Sequence, residues 1–369
     1  MPLTFIEINS RNLQHNLRQF KNIAPQSELW PVVKSNAYGH GLLEVLSLLN
    51  DNSDVAGLAC VNLDEALQIA KSSQHKIMVL SYFDFDELKI KQAIEQKIIL
   101  PVYSSESFRY LQSLALELHT QIEVMVKIDS GTNRLGFKAE DEALVAEIMS
   151  EENFLVHSLY THFAESEIAN LDFSQEQLKY LKNYQAKYPR VKFHSACSAA
   201  AIAIPEARQD IVRLGLALYG LWPSTATQES GQKQAMDLRP VLSLKTKIIQ
   251  IKKIKAQESV GYNRTFVANE DCSIAILPMG YYEGWPRILS NKGSVLINGQ
   301  LCQIVGNICM NLTMVRLAKG LEAKVGDEVV LIGYSGMEYL SADQQASEAK
   351  TISYEIVTRL NADIPRIII

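Results

Sequence analysis

Lys34 stands where an apolar run, Leu29 to Val33, meets a polar, glycine-rich turn in the string Val32-Val-Lys-Ser-Asn-Ala-Tyr-Gly-His-Gly41. A strand closing on Lys34 would hold the amine near apolar walls while the turn stays open to a ligand. Desolvation lowers the pKa of a lysine, and the neutral amine can then attack a carbonyl to form a Schiff base. Taken alone, a lysine at a strand end is more often simply solvated. Other polar side chains recur at comparable places. Lys127 and Asp129 close an apolar run and precede Ser130-Gly-Thr-Asn-Arg-Leu-Gly136; Thr161 and His162, Cys197 and Ser198, and Arg213 with Gly215 follow or end further runs. Each has an ordinary reading by itself. His162 could be a satisfied buried histidine, Lys127 a salt-bridged lysine, Arg213 the partner of a carboxylate, and Ser198 the N-cap of a helix over 199–203.

The elements that must position these residues alternate. Apolar, β-branched runs fall near 29–35, 55–61, 76–83, 98–104, 122–130, 154–163, 191–197 and 211–220, with helical patterns between them at 64–71, 86–96, 105–118, 140–151 and 174–187. Short apolar strands alternating with helices indicate a parallel sheet. Eight of them predict an α/β fold, an N-terminal (β/α)8 TIM-type barrel, with a doubly wound open sheet as the alternative. In a barrel the polar residues named above would all lie at one end, which the ordinary readings do not explain. After about residue 235 the pattern becomes mainly β, with an Asn298-Gly299 hairpin signal and helical patterning again near 342–360. The expected division is a barrel over 1–236 and a β domain over 237–369, with polar 224–238 as linker.

At 369 residues the chain has room for both, a barrel needing about 250. A net charge of −5 without basic runs argues against nucleic acid as a partner. Five scattered cysteines without Cys-x-x-Cys spacing argue for reduced thiols in a cytoplasm and against a zinc site. No signal peptide or membrane-spanning stretch is evident.

The string around Lys34 resembles the cofactor-lysine segment of the alanine racemase family, and ordered matches continue along nearly the whole chain. The resemblance implies pyridoxal 5'-phosphate as cofactor, Lys34 as its Schiff-base lysine and Tyr38 as a phosphate ligand. Val126-Lys-Ile-Asp-Ser-Gly-Thr-Asn-Arg-Leu-Gly136 is similar to the segment in which a lysine, often carbamylated, orients an arginine; this implies Lys127 positioning Arg134 at the substrate carboxylate and the cofactor's phenolic oxygen. Tyr160-Thr-His-Phe-Ala164 implies His162 beside the cofactor ring. Val212-Arg-Leu-Gly-Leu216 implies Arg213 at the pyridine nitrogen, with the backbone of Gly215 and Leu216 on the phosphate. Ser198 corresponds to a phosphate-binding serine, here following Cys197 instead of the usual asparagine. In the later domain, Ser259-Val-Gly-Tyr-Asn-Arg-Thr-Phe266 implies Tyr262 as a catalytic tyrosine. Leu277-Pro-Met-Gly-Tyr-Tyr-Glu-Gly-Trp-Pro-Arg287 resembles the substrate-access segment bearing Tyr281, with Glu283 where aspartate is usual. Val305-Gly-Asn-Ile-Cys-Met-Asn311 places Met310 at the substrate carboxylate, with Asn307 and Asn311 where arginine and aspartate are common. Thr351-Ile-Ser-Tyr354 implies a second phosphate tyrosine.

By the resemblance the chemistry would be interconversion of L- and D-alanine, supplying D-alanine for bacterial peptidoglycan, in a homodimer with shared active sites. Inverting a centre needs proton donors on opposite faces; Lys34 would serve one and Tyr262 of the partner subunit the other, assisted by His162. A tyrosine titrating at its ordinary value of about 10 is a poor base unless positive neighbours favour the phenolate. Arg213 and His162 are the candidates for those neighbours. A cofactor carrier would lack the second domain and Tyr262, and a decarboxylase would place an acid where Arg213 stands. A broad-spectrum or serine racemase shares most motifs and stays open as the alternative.

Overall fold

The computed structural model describes residues 2–369, which form two compact units. One comprises Leu13–Ser35 and Val45–Arg239; the other comprises residues up to Asn12, Asn36–Glu44 and Pro240–Ile369.

The chain begins with β1 (Phe5–Ile8), and the larger unit then contains β2 (Glu28–Pro31), β3 (Gly57–Cys60), β4 (Lys76–Val79), β5 (Leu100–Val102), β6 (Ile122–Lys127), β7 (Phe154–Tyr160), β8 (Lys192–His194) and β9 (Ile211–Leu214). Pairings of β3 with β4, of β5 with β6, β6 with β7, and β7 with β8 are all parallel. Parallel bridges Leu29–Val55 and Val32–Ala59 join β2 to β3, and Met78–Ile99 joins β4 to β5. The amide of Arg213 donates to Ala196 (3.0 Å), tying β9 to β8, and β9 pairs in parallel with β2. The ring is closed: eight parallel strands form a (β/α)8 barrel, and the open-sheet alternative is excluded. Strands buried on both faces explain the near-continuous apolar runs. Helices begin where side chains cap them: Asn62 accepts from Glu65 N, Asp86 from Leu88 N and Lys89 N, and Ser104 closes a capping box with Ser107.

Two expectations about organisation need correction. β1, expected with the barrel, pairs antiparallel with β10 (Leu242–Lys247) and parallel with Arg366–Ile368, so its apolar residues Phe5, Ile6 and Ile8 are buried in the sheet of the smaller unit. The polar segment 224–238 is no loose linker. Ser224 and Thr227 form a capping box that starts a helix over Thr225–Lys233, and Gly231 lets it lie against Trp222, where a Cβ would come within 2.5 Å of the indole. A good cap and a close helix contact outweigh the low hydrophobicity.

The smaller unit is mainly β, as its turn-rich pattern implied. A seven-stranded sheet includes β1 and β10, and a second, three-stranded sheet contains Gln250–Ile254, Cys272–Leu277 and Thr313–Arg316. Asn298 and Gly299 have φ of +48° and +76°, the two positive values a tight hairpin between Ser294–Ile297 and Gln300–Gln303 requires.

Candidate active site

The strand before Lys34 ends earlier than expected, at Pro31; Val33 still bonds the barrel through Ala59 O (2.9 Å), and Lys34 opens a short helical turn. That turn is left-handed: Ser35, Asn36, Ala37 and Tyr38 have φ of 55°, 55°, 52° and 55°. L-residues pay about 1–2 kcal/mol each for this conformation and rarely adopt it consecutively. Local anchors hold it. Glu65 accepts from Ser35 N (2.6 Å) and Val61 N (3.0 Å), and the Asn36 side chain accepts from Leu42 N (2.7 Å). The Lys34 amine is pushed below the ordinary lysine range by burial and then by the Arg134 charge. This is the environment in which a lysine becomes a nucleophile or base at neutral pH.

Arg213, on β9, is buried, and carbonyls and histidines satisfy it instead of the carboxylate that an isolated reading would pair with it. It donates to Thr161 O (2.9 Å), Ser195 O (2.9 Å), His194 Nδ1 (2.5 Å) and, at 3.5 Å, His162 Nδ1. Accepting at Nδ1 leaves both imidazoles with their proton on Nε2. His194 is held further by Ser158 Oγ (3.0 Å) and by stacking on Tyr160, with ring centroids 5.0 Å apart. Burial, followed by Arg213, drives the pKa of both histidines well below the usual value. His162 is therefore neutral, which corrects its expected part as a positive neighbour of a phenolate. His194 was not among the residues expected from the sequence; a polar residue ending an apolar barrel strand was the available signal.

Lys127 ends β6 in full burial, its ammonium position 4.4 Å from the Tyr160 ring centroid. Burial, Arg213 and Arg134, in that order, push its pKa well below the lysine range. The Asp129 charge opposes this shift only in part and makes no ion pair with Lys127. Its carboxylate instead organises the following loop, accepting from Gly131 N (3.0 Å), Thr132 Oγ1 (3.1 Å), Asn133 N (3.1 Å) and Arg134 N (3.2 Å). The loop carries Arg134 to an exposed position, and Gly136 is required where a Cβ would come within 2.7 Å of Lys127 Cγ.

Ser198 is the first residue of the helix Ser198–Ala203, not its cap; Cys197 holds the cap position without a side-chain bond. The Ser198 hydroxyl accepts from Gly215 N (2.9 Å), so the Gly215 amide expected on a phosphate is already committed, and the hydroxyl proton of Ser198 remains to donate. Leu216 follows at the start of a 3-10 turn, where leading amides lack intrahelical acceptors.

Among the described residues no ion pair reaches Lys127, Arg134 or Arg213. Two guanidinium groups and the depressed amine of Lys127, converging without an ion-paired acid beside a serine hydroxyl and a 3-10 start, form a donor set that an anionic ligand would satisfy. Pyridoxal phosphate, bearing a phosphate, a phenolic oxygen and an acceptor nitrogen, fits that set.

The smaller unit holds the remaining expected residues in two groups. Tyr38 and Tyr354 face each other with ring centroids 6.3 Å apart. Tyr262, 71% exposed, lies in a strained turn between Gly261 (φ +76°) and Asn263 (φ +62°), and the Asn307 side chain donates to its carbonyl (3.0 Å). Tyr281 and Met310 are also exposed and lie together: Tyr281 N donates to Cys309 O (3.1 Å) and Tyr282 N to Met310 O (2.9 Å). Gly280 permits that approach, since a Cβ there would come within 2.3 Å of both carbonyls.

A closed barrel whose carboxyl end gathers unneutralised cations around a depressed lysine amine defines a small-molecule enzyme. Comparison with known proteins says which kind. Residues 8–223 match the family described as "Alanine racemase, N-terminal domain", and residues 241–368 match "Alanine racemase, C-terminal domain". The alanine racemase of Carboxydothermus hydrogenoformans is 35% identical, with all of both chains covered. The solved alanine racemase of Clostridium difficile superimposes with a TM-score of 0.92 at 31% identity, covering 100% of this chain and 96% of that one. That of Bacillus anthracis, solved with bound L-Ala-P, gives 0.91 at 30%, covering 100% and 95%. The chain belongs to the alanine racemase family.

Proposed function

We propose that this protein interconverts L- and D-alanine with pyridoxal 5'-phosphate as cofactor. The observation that carries the reading is the set of basic side chains without an ion pair at the barrel's carboxyl end, the buried Arg213 guanidinium and the depressed amine of Lys127 above all, beside the depressed amine of Lys34. Lys34 would hold the cofactor covalently, Arg213 would donate to its ring nitrogen, and Ser198 and Leu216 would hold its phosphate, with Gly215 acting through Ser198. When bound, the cofactor supplies delocalisation of the charge left when the substrate loses its Cα proton. A guanidinium donates a hydrogen bond but does not surrender a proton, so Arg213 would leave the ring nitrogen unprotonated and that delocalisation modest. This favours return of the proton to Cα over side reactions.

Two bases are needed on opposite faces. Lys34, its pKa lowered by burial, accepts or returns a proton on one face. Tyr262 would serve the other in a homodimer, reaching the barrel of the partner subunit. Its exposure, together with that of Tyr281 and Met310, supports a surface that a second copy covers. Met310 and Arg134 would receive the substrate carboxylate. The enzyme would work in the cytoplasm on free alanine, supplying D-alanine for peptidoglycan, as the family resemblance implies.

The purified protein, reconstituted with cofactor, should racemise L-alanine faster than serine, lysine or arginine, and borohydride should fix the cofactor on the peptide containing Lys34. Mixing Lys34→Ala with Tyr262→Phe protein should restore about a quarter of parent activity, because random exchange makes half the dimers hybrid and each hybrid has one intact site. Serine as the preferred substrate would replace alanine in the reading. No recovery despite measured subunit exchange would place both bases in one chain.

A further inference from the structure

The smaller unit ties its two exposed substrate-side segments together through one carboxylate. Glu283 Oε2 accepts from Gly280 N at 2.8 Å, closing the turn that bears Tyr281 and Tyr282. Its other oxygen, Oε1, accepts from Asn311 Nδ2 at 2.8 Å, on the loop that bears Met310. The backbones of the same two segments are bonded through Tyr281 N to Cys309 O and Tyr282 N to Met310 O. Glu283 O also accepts from Asn361 N at 3.2 Å, which fixes the turn from behind. The Glu283 carboxylate thus has a donor on each oxygen, and its charge is spent inside the turn.

We infer that Glu283 and Asn311 are a matched pair of positioning residues that sets the spacing between Tyr281 and the Met310 backbone and so governs affinity for the substrate carboxylate. The inference deepens the proposed racemase reading and rests on it. The match is chemical. Asn311 offers an amide N–H that a carboxylate wants and adds no charge of its own. An aspartate at 311 would set a second carboxylate against Oε1, where no proton is available to bond them at neutral pH. The loop would then swing away, carrying Met310 with it and leaving an extra negative charge where an anionic substrate must arrive. Exchanging the roles should restore the bond. With glutamine at 283 and aspartate at 311, the glutamine oxygen accepts from Gly280 N and its amide donates to the new carboxylate.

The test is a double-mutant cycle on the full-length holoenzyme using Asn311→Asp, Glu283→Gln and the combined variant. Asn311→Asp should raise KM for L-alanine about tenfold while kcat stays within about threefold, the pattern of lost uniform binding. The combined variant should return KM to within about threefold of the parent, although it carries two substitutions. A parallel cycle of melting temperatures should show the same rescue. Independent, additive effects in both cycles, or an Asn311→Asp enzyme with the parent's KM, would overturn the inference. Asn311→Ala, which removes the bond without adding charge, should raise KM by an intermediate factor of about three to five; a KM equal to the parent's would show that the bond positions nothing and overturn the inference. If the parent does not racemise alanine, the functional reading fails, and the melting cycle still decides the pair.

Discussion

A lysine buried beside two arginines persists only by giving up its proton, and that defines what Lys127 can become. Desolvation and the Arg213 and Arg134 charges all disfavour the ammonium. A neutral amine is the form that attacks carbon dioxide: the nitrogen bonds the carbon, one N–H proton leaves, and the product carries a negative charge. A carbamate here would supply the acid that the cation cluster lacks and would give Arg134 a partner. Carbon-13 bicarbonate should label the parent protein and leave Lys127→Ala unlabelled, while that variant's KM for alanine should rise roughly tenfold as Arg134 loses its partner. An unlabelled parent would mean that Lys127 stays a free amine. Arg213 shows the opposite solution to the same burial, since guanidinium keeps its charge and is satisfied by Thr161 O, Ser195 O and neutral histidines.

At the scale of elements, the left-handed turn Ser35–Tyr38 stores strain at the point where Lys34 must be aimed. The surrounding bonds over-determine it, with Glu65 at one end and Asn36 side-chain and backbone bonds at the other. Ser35 has an exposed side chain, so replacing it tests the backbone alone. Ser35→Gly removes the Cβ penalty but enlarges the freedom of the unfolded chain, and the difference should stabilise the protein by up to about 1 kcal/mol. Ser35→Val should destabilise by about 1–2 kcal/mol, because a β-branched residue tolerates φ near +55° poorly. Denaturant melts of the two variants check the ordering; a valine variant as stable as the glycine one would show that the turn is unstrained.

For the whole molecule, histidines shielded from water set its behaviour in acid: buried His40 and half-buried His157 add to His162 and His194 of the site. Burial lowers the pKa of His40 to about 4. Burial, with Lys192 and Lys76 nearby, does the same to His157, whose ring packs against Trp30. Both groups bind their proton more weakly folded than unfolded. Their contribution is therefore fully present above about pH 6.5 and is lost as pH falls towards 4, by up to roughly 3 kcal/mol for His40 and less for half-buried His157, where solvent screens the charge. Unfolding free energies measured between pH 7 and pH 4 should fall accordingly, and His157→Gln should make that slope shallower. An unchanged slope in the variant would mean that His157 titrates normally in the fold.

The periodicity of apolar runs, a property of local sequence, determined the eight strands, the class of fold and the approximate change to a β-rich unit, because strands buried on both faces cannot hide their composition. The residue types at strand ends likewise marked Lys34, Lys127, His162, Ser198 and Arg213. What required the tertiary structure was every feature that depends on non-local pairing. β1 looks the same in sequence whether it joins a barrel or pairs with β10, and only its partners decide. The polar helix Thr225–Lys233 reads as a linker until Trp222 lies against Gly231. A left-handed turn of four residues is not specified by the side chains within it, since Ser35, Ala37 and Tyr38 prefer other conformations and only Asn36 tolerates this one well, and distant Glu65 helps to impose it. Protonation is the clearest case. His162 reads as a possible cation from its type alone, and it becomes neutral because folding removes water from it and brings Arg213 within 3.5 Å of its Nδ1.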